Sequence, residues 1–252
     1  MRLLLELARM SEPGNFLSAE WRYLAMLNYE IDPAVLQPYL PRGTELDSWN
    51  GRTLVSMVGF LFLKTRLLGV PIPFHTNFEE VNLRLYVRRP SEEGWRRGVV
   101  FIKEIVPKPA IAAVARRVYN ENYVALPMRH SLAEVAGPTG VQLAVEYSWR
   151  LGQRWNYLRV KSHGEAQPLT PGSEEEFITE HYWGYASQKD GTCVEYRVEH
   201  PPWRVWQVGE SELNCDVTTL YGAAFGEALQ AEPSSAFLAE GSAVVVRRGR
   251  RL

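Results

Sequence analysis

Apolar and polar positions alternate through NFEEVNLRLYVRR and again through GVVFIKEIVPK, on either side of a polar turn at residues 90–97. A period of two sends successive side chains to opposite faces of a strand, so this stretch is expected to be a long hairpin. In PAIAAVARRVYN the period changes. Ile111, Val114, Ala115 and Val118 share one helical face, Arg116 and Arg117 fall off it, and Pro109 suits a first turn. The spacing predicts a helix over 109–120 directly after the hairpin.

The same reading extends along the chain. FLSAEWRYLAMLNYEI reads as a strand, and Asp32-Pro33 caps a short helix in AVLQPYL. TELDSW and RTLVSMVGFLFLKTRLL flank Asn50-Gly51, a strong hairpin signal, and VQLAVEYSWRL and RWNYLRVKSHGEA form another hairpin around Gly152. Ser173 to Glu176 reads as a capping box that opens a helix through EEFITEHYWGY. CVEYRVEH, WRVWQVGESEL and SAFLAEGSAVVVRRG are further strands, with Asp216 capping VTTLYGAAFGEAL between the last two. This makes roughly nine or ten strands against four short helices, a strand-rich α+β pattern without regular βαβ alternation. Residues 54–63 are apolar almost without a break, which favours a curved or closed sheet with an interior. A single domain over residues 16–252, after an N-terminal arm at 1–15, is expected.

Composition narrows the partners. Hydrophobic residues make up 46% and aromatics 12% of the 252 residues, enough for a large core, and the net charge of -1 offers no basic field for nucleic acid. MRLLLELARM is far short of the roughly 20 residues that span a bilayer, so no membrane association is expected. Cys193 and Cys215 form no framework, and reduced, cytoplasmic thiols are the expectation. The five histidines lack paired ligand spacing, the glycines near Gly137 and Gly140 lack the strand-then-helix setting of a phosphate loop, and there is no GxSxG elbow. No metal and no cofactor is called for, a small organic molecule is the expected partner, and a homo-oligomer is compatible with the composition.

The candidate chemistry lies in the central hairpin. Strict alternation puts Glu79 on the face of Val81, Leu83, Leu85 and Val87, and puts Glu80, Asn82, Arg84 and Tyr86 on the other. On the partner strand Glu104 shares a face with Val100, Ile102 and Val106, and Lys103 with Phe101 and Ile105. A register symmetrical about the turn brings Glu104 near Asn82 or Arg84. One reading is a polar cluster against an apolar cavity, where burial shifts carboxylate and amine pKa values. The other is a cross-strand Arg84–Glu104 ion pair, with Glu79 capping a loop. His75, just before the strand, is a candidate proton donor, while His181, beside Tyr182 and Trp183, reads first as a packed aromatic helix face and second as pocket lining.

FLSAEWRYLAMLNYEIDPAVLQPYLP, GTELDSWNGRTLVSMVGFLFL, FHTNFEEVNLRLYVR, RRGVVFIKEIVPKPAIAAVAR, YNENYVALPM, EHYWGY and SSAFLAEGS together resemble the DUF2071 (YqjF-like) family of bacterial proteins. The resemblance implies the acetoacetate decarboxylase-like fold, a cone-shaped β-barrel around an apolar cavity. It also implies that Lys108, in EIVPKPAIA, stands where acetoacetate decarboxylase has its imine-forming lysine, with Glu79 or Glu80 near the carboxylates; the hairpin reading adds Glu104 to these candidate catalytic residues. Arg84, Asn82, His75, Lys103 and Tyr86 would then contact substrate. A departure matters here: Pro109 replaces the second lysine whose charge would activate Lys108. The functions implied are binding of a carboxylate or carbonyl compound, with lyase-like imine or acid-base chemistry, or non-catalytic carriage or sensing of an apolar metabolite.

Overall fold

The computed structural model describes residues 14–118, 120–137 and 140–252; most of the N-terminal arm expected at 1–15 lies outside them. The strands are β1 (Asn15–Glu30), β2 (Glu45–Leu46), β3 (Leu54–Leu67), β4 (Val70–Pro71), β5 (Phe78–Ser91), β6 (Gly94–Val106) and β7 (Tyr123–Ala125). They continue with β8 (Met128–Gly137), β9 (Gly140–Leu151), β10 (Arg154–Gln167), β11 (Trp183–Ser187), β12 (Cys193–Glu199), β13 (Val205–Asn214), β14 (Ser235–Arg247) and β15 (Arg250–Arg251). The helices are α1 (Pro33–Leu36), α2 (Pro109–Val118), α3 (Glu174–Thr179), α4 (Val217–Tyr221) and α5 (Gly226–Gln230).

Among the described residues, β12, β11, β6, β5, β3, β1 and β14 are neighbours in that order, and β14 returns to pair with β12 at Val198↔Val246 and Glu199↔Val245. The sheet therefore closes into a ring. From β14 it also runs outward through β13, β10, β9 and β8 as an open wing. Two cores result. Val81, Leu83 and Leu85 face outward from the ring and pack with Tyr147, Trp149 and Leu158 of the wing. Val58, Phe60, Phe62, Phe78 and Val99 face the ring's interior. Apolar residues on both faces explain the unbroken hydrophobic run of β3.

The ring has unequal joins. β1–β3 and β5–β6 are long ladders, whereas β11 meets β6 at two pairs, Trp183↔Gly98 and Gly184↔Val99, and β12 meets β14 at two. Side chains reinforce the β11–β12 hairpin: the fully buried Glu195 carboxylate takes Arg89 at 3.3 Å, Arg96 at 3.0 Å and Arg250 at 2.8 Å. Together those three arginines neutralise a charge that would otherwise be costly to bury.

Several local expectations are corrected. The capping box forms, with Ser173 Oγ accepting from Glu176 N, but α3 ends at Thr179 and Trp183–Ser187 is a strand. Tertiary pairing overrides the local signal: Gly98 lets the Trp183 carbonyl come so close that a Cβ there would stand 2.5 Å from it. Asn50-Gly51 makes its turn, with φ of 49° and 79°, but a single bridge, Trp49↔Arg52, follows it. β1 and β5 occupy both edges of β3, so β2 pairs instead with β5, beyond the end of the β3 ladder. The central hairpin is tighter than expected and stays paired to Ser91↔Gly94. β8 was not anticipated, and it makes the segment near Gly137 and Gly140 a strand-to-strand connection.

Candidate functional site

Inside the ring lies a cavity of about 250 Å³ whose walls come from all seven ring strands and from α2. Its lining is mainly hydrocarbon and aromatic, and Glu80, Asn82, Arg84, Glu104, Glu121, His181 and His75 interrupt it. The β5–β6 register sets Asn82 directly opposite Glu104, one of the two partners, Asn82 or Arg84, that symmetry about the turn allows. Beyond that point strict alternation fails. Leu83 pairs with Lys103 and Arg84 with Phe101, leaving Ile102 as an extra residue, a β-bulge. The bulge puts Val99 and Phe101 on the cavity side together with Glu104, while Ile102 packs in the outer core and Lys103 reaches Leu220 and Tyr221. Phe101 was expected on the face of Lys103, and the extra residue is why it is not.

Three carboxyl groups meet in this space. Asn82 Nδ2 donates to Glu80 Oε1 at 3.0 Å, Tyr123 Oη donates to Glu80 Oε2 at 3.2 Å, and Tyr196 Oη donates to Glu121. Burial raises Glu80 to about 7 against the pull of these donors, and burial raises Glu121 to about 7. Glu104 stands well above the usual carboxylate range, first through burial and then through the neighbouring Glu121 and Glu80. At neutral pH the cluster therefore holds protons, and Glu104 is the member that holds one most tightly. A protonated carboxyl is a hydrogen-bond donor as well as an acceptor.

Two residues beyond Asn82 on the same face of β5 is Arg84, and His181 also lines the cavity. Arg84 Nε donates to Tyr86 Oη at 3.3 Å and Nη2 to the Ile178 carbonyl at 3.3 Å. Tyr86 is held in turn by Ser56 Oγ at 2.5 Å, and Ser56 donates to Asn28 Oδ1 at 2.5 Å. Among the described residues no carboxylate lies within 4.0 Å of the Arg84 guanidinium, so the alternative of an Arg84–Glu104 ion pair is not what forms. His181 packs between Tyr86 and Phe177, with centroids at 4.8 and 5.0 Å, and its Nε2 lies 3.3 Å from Asp47 Oδ2. Burial would raise the Asp47 carboxyl, but His181 and Arg97, the latter at 2.7 Å, hold it below its ordinary value. An ionised Asp47 can only accept, so Nε2 carries the ring proton and Nδ1 keeps its lone pair. Burial, with help from Arg97 and Arg84, lowers His181 to about 4, so the ring is neutral.

Among the described residues, five that line the cavity carry a buried polar atom without a protein partner: Asn82 Oδ1, Glu104 Oε2 and His181 Nδ1 at the polar end, and Trp21 Nε1 and Thr65 Oγ1. Buried polar groups are nearly always satisfied, and a set of orphans facing one space is what a polar ligand or water would complete.

The other candidates fall elsewhere. His75 lines the mouth, with Nδ1 donating to the Pro73 carbonyl at 2.8 Å. Tyr86 touches Arg84 from behind and does not line the cavity. Glu79 faces the wing and accepts from His130 Nδ1 at 2.6 Å, which replaces the loop cap considered for it. Lys103 lies on the outer face, and burial lowers its amine. Lys108, at the entry to α2, is half-buried, and among the described residues no lysine lines the cavity. Sequence reasoning missed Asp47 and Glu121 and ranked His181 as packing. Asp47 and His181 are 134 residues apart, and only the closed ring brings them together.

The DUF2071 family model, described as an uncharacterized conserved protein, matches residues 18–243. The chain is 25% identical over 206 residues to the uncharacterized protein YqjF of Bacillus subtilis (strain 168), covering 79% of this chain and 78% of that one. Among solved structures, the enduracididine biosynthesis enzyme MppR complexed with pyruvate aligns with a TM-score of 0.65 at 13% identity, over 96% of this chain and 91% of that one. Acetoacetate decarboxylase from Legionella pneumophila aligns with 0.62 at 14%, over 95% and 88%. An acetoacetate decarboxylase-like enzyme from Sphingomonas wittichii RW1 aligns with 0.63 at 14%, over 95% and 94%. Identities this low establish a common fold.

Proposed function

Because the chain belongs to the DUF2071 family and has the acetoacetate decarboxylase-like fold, we propose that its cavity binds a small oxo acid and performs acid-base chemistry at the carbon beside the carbonyl. The observation that carries this reading is Arg84, a cavity-lining cation with no carboxylate of the described residues within 4.0 Å, in the same cavity as carboxyl groups that burial keeps protonated. The substrate carboxylate pairs with Arg84. Glu104, in its protonated form, donates through its unpartnered oxygen to the carbonyl. His181 Nδ1 accepts the proton released from the adjacent carbon, and Asp47 holds the ring in the tautomer that leaves Nδ1 open. The product of this step is an enol, which returns by the reverse transfers or goes on to bond formation or cleavage. MppR is known in complex with pyruvate, and pyruvate is a suitable first probe.

Titration calorimetry with pyruvate tests the anchor. Arg84→Met is expected to weaken binding by about 10- to 100-fold, the usual value of a charge-assisted contact to a carboxylate. Equal affinity in the two proteins would remove Arg84 from the site and the proposal with it.

Imine chemistry makes a different demand, since it needs a neutral amine in the cavity and an ordinary lysine near neutral pH is charged. Sodium borohydride added with pyruvate is therefore expected to leave all five lysines unmodified by mass spectrometry. A stable adduct on Lys108 would reinstate the imine route that the sequence resemblance implies.

A further inference from the structure

The cavity is longer than a three-carbon acid requires, and its polarity is graded along the ring axis. Cross-strand pairs of β3 and β5 mark the levels: Ser56↔Arg84, Val58↔Asn82, Phe60↔Glu80 and Phe62↔Phe78. Arg84, Asn82 and the facing Glu104 lie toward one end. From Phe60 onward the wall is aromatic, with Phe62 stacked on Phe78 at 4.7 Å and Trp21 edge-on to Phe60 at 5.4 Å. Beyond them Ile72 lines the cavity while 40% exposed, and Val114 of α2 does so at 42%. Apolar side chains thus dominate the wall from the interior to solvent, with Thr65 and His75 among them. Close by in the chain, outside the lining, Leu68, Val70 and Phe74 are 68%, 58% and 89% exposed.

An acid the size of pyruvate, held at Arg84, covers the polar levels and leaves the aromatic wall facing water. Resting on the oxo-acid reading above, we infer that the preferred ligand is amphiphilic: an acid head at Arg84, Asn82 and Glu104, and an unbranched or aryl tail lying along Phe60, Phe62 and Phe78 toward Ile72. Four strand residues separate the Asn82 and Phe78 levels, roughly 13 Å at about 3.3 Å per residue. At ~1.3 Å of advance for each carbon–carbon bond of ~1.5 Å, that span takes a tail of about ten carbons. The exposed residues around the mouth are the outer end of the same tail site.

The test is a calorimetric series of straight 2-oxo acids from pyruvate to 2-oxododecanoate on the wild type, Ile72→Asp and Arg84→Met. Kd is expected to fall about fourfold per added methylene until the tail reaches the mouth, and then to level. Ile72→Asp, a change at a partly exposed position, is expected to weaken the longest acids more than tenfold and leave pyruvate unchanged. If pyruvate binds through Arg84 but longer acids bind no more tightly, the tail site is overturned and the oxo-acid reading survives. If affinity rises with length and Arg84→Met has no effect, the tail is upheld and the carboxylate anchor falls. If no acid of any length binds, both fall.

Discussion

His181→Gln is expected to slow the exchange of the methyl protons of bound pyruvate with solvent deuterium by about 10²- to 10⁴-fold, the ordinary contribution of a positioned base. Proton NMR in deuterium oxide reads this directly, and pyruvate affinity measured in parallel should move little. Gln preserves a donor toward Asp47 and removes the basic nitrogen. Burial, Arg97 and Arg84 lower the ring to about 4, so Nδ1 is unprotonated at neutral pH but only weakly basic, which sets the expected loss toward the lower end of that range. Asp47 acts through His181, so Asp47→Asn serves as the control for position. Asn can donate to Nε2 and shift the ring proton to Nδ1, which would block the base without removing it. The Asp47→Asn variant should therefore lose exchange while binding pyruvate normally, and its residual activity should show a changed pH profile. If both variants exchange at the wild-type rate, the base lies elsewhere.

Glu104→Gln is expected to make the protein more stable at pH 8. The carboxyl groups of Glu80, Glu104 and Glu121 are all raised in the folded chain, so the folded state binds more protons than the unfolded state over the interval in which they differ. For Glu80 and Glu121 that interval runs from the ordinary value of 4.5 to about 7. Stability is complete below the unfolded pKa and declines as pH rises through the folded one, so wild-type Tm should fall between about pH 5 and pH 8. Amide replacement of Glu104 removes one charge that would have to be buried among like charges. A gain of about 1–3 kcal/mol at pH 8, or roughly 3–10 °C in a chain of this size, and little change at pH 5 should result. Differential scanning calorimetry at the two pH values reads it. An ion-paired Glu104 would give the opposite sign, because losing one partner of a buried pair destabilises. A site that costs stability when ionised is what functional clusters commonly show.

Alternation along FEEVNLRLYVR was enough to place Glu80, Asn82 and Arg84 on one face, and hairpin symmetry was enough to narrow the partner of Glu104 to Asn82 or Arg84, of which Asn82 is the one that pairs. Those two inferences hold because period-two geometry and pairing register are local consequences of the backbone. The bulge at Ile102 was not legible, since a β-branched residue in an apolar run carries no mark of being unpaired. The strand at Trp183 was hidden because its partner is Gly98, 85 positions earlier, and the capping signal at Ser173 pointed to a longer helix. Glu121 follows α2 in a polar stretch, YNENY, that differs in no way from a solvated loop until β7 and β12 close over it with Tyr123 and Tyr196. Lys108 was singled out by the resemblance of a short segment, whereas the side chains that meet inside the ring are set by topology.

The β11–β12 hairpin contributes Trp183, Tyr196 and Val198 to the cavity wall, yet only two residue pairs fasten it on each side. The arginines gathered on Glu195 add to its anchorage. The enclosure thus has one shuttered side: easing that panel outward would widen the interior while the long β3–β5–β6 ladders keep Arg84, Asn82 and Glu104 in register.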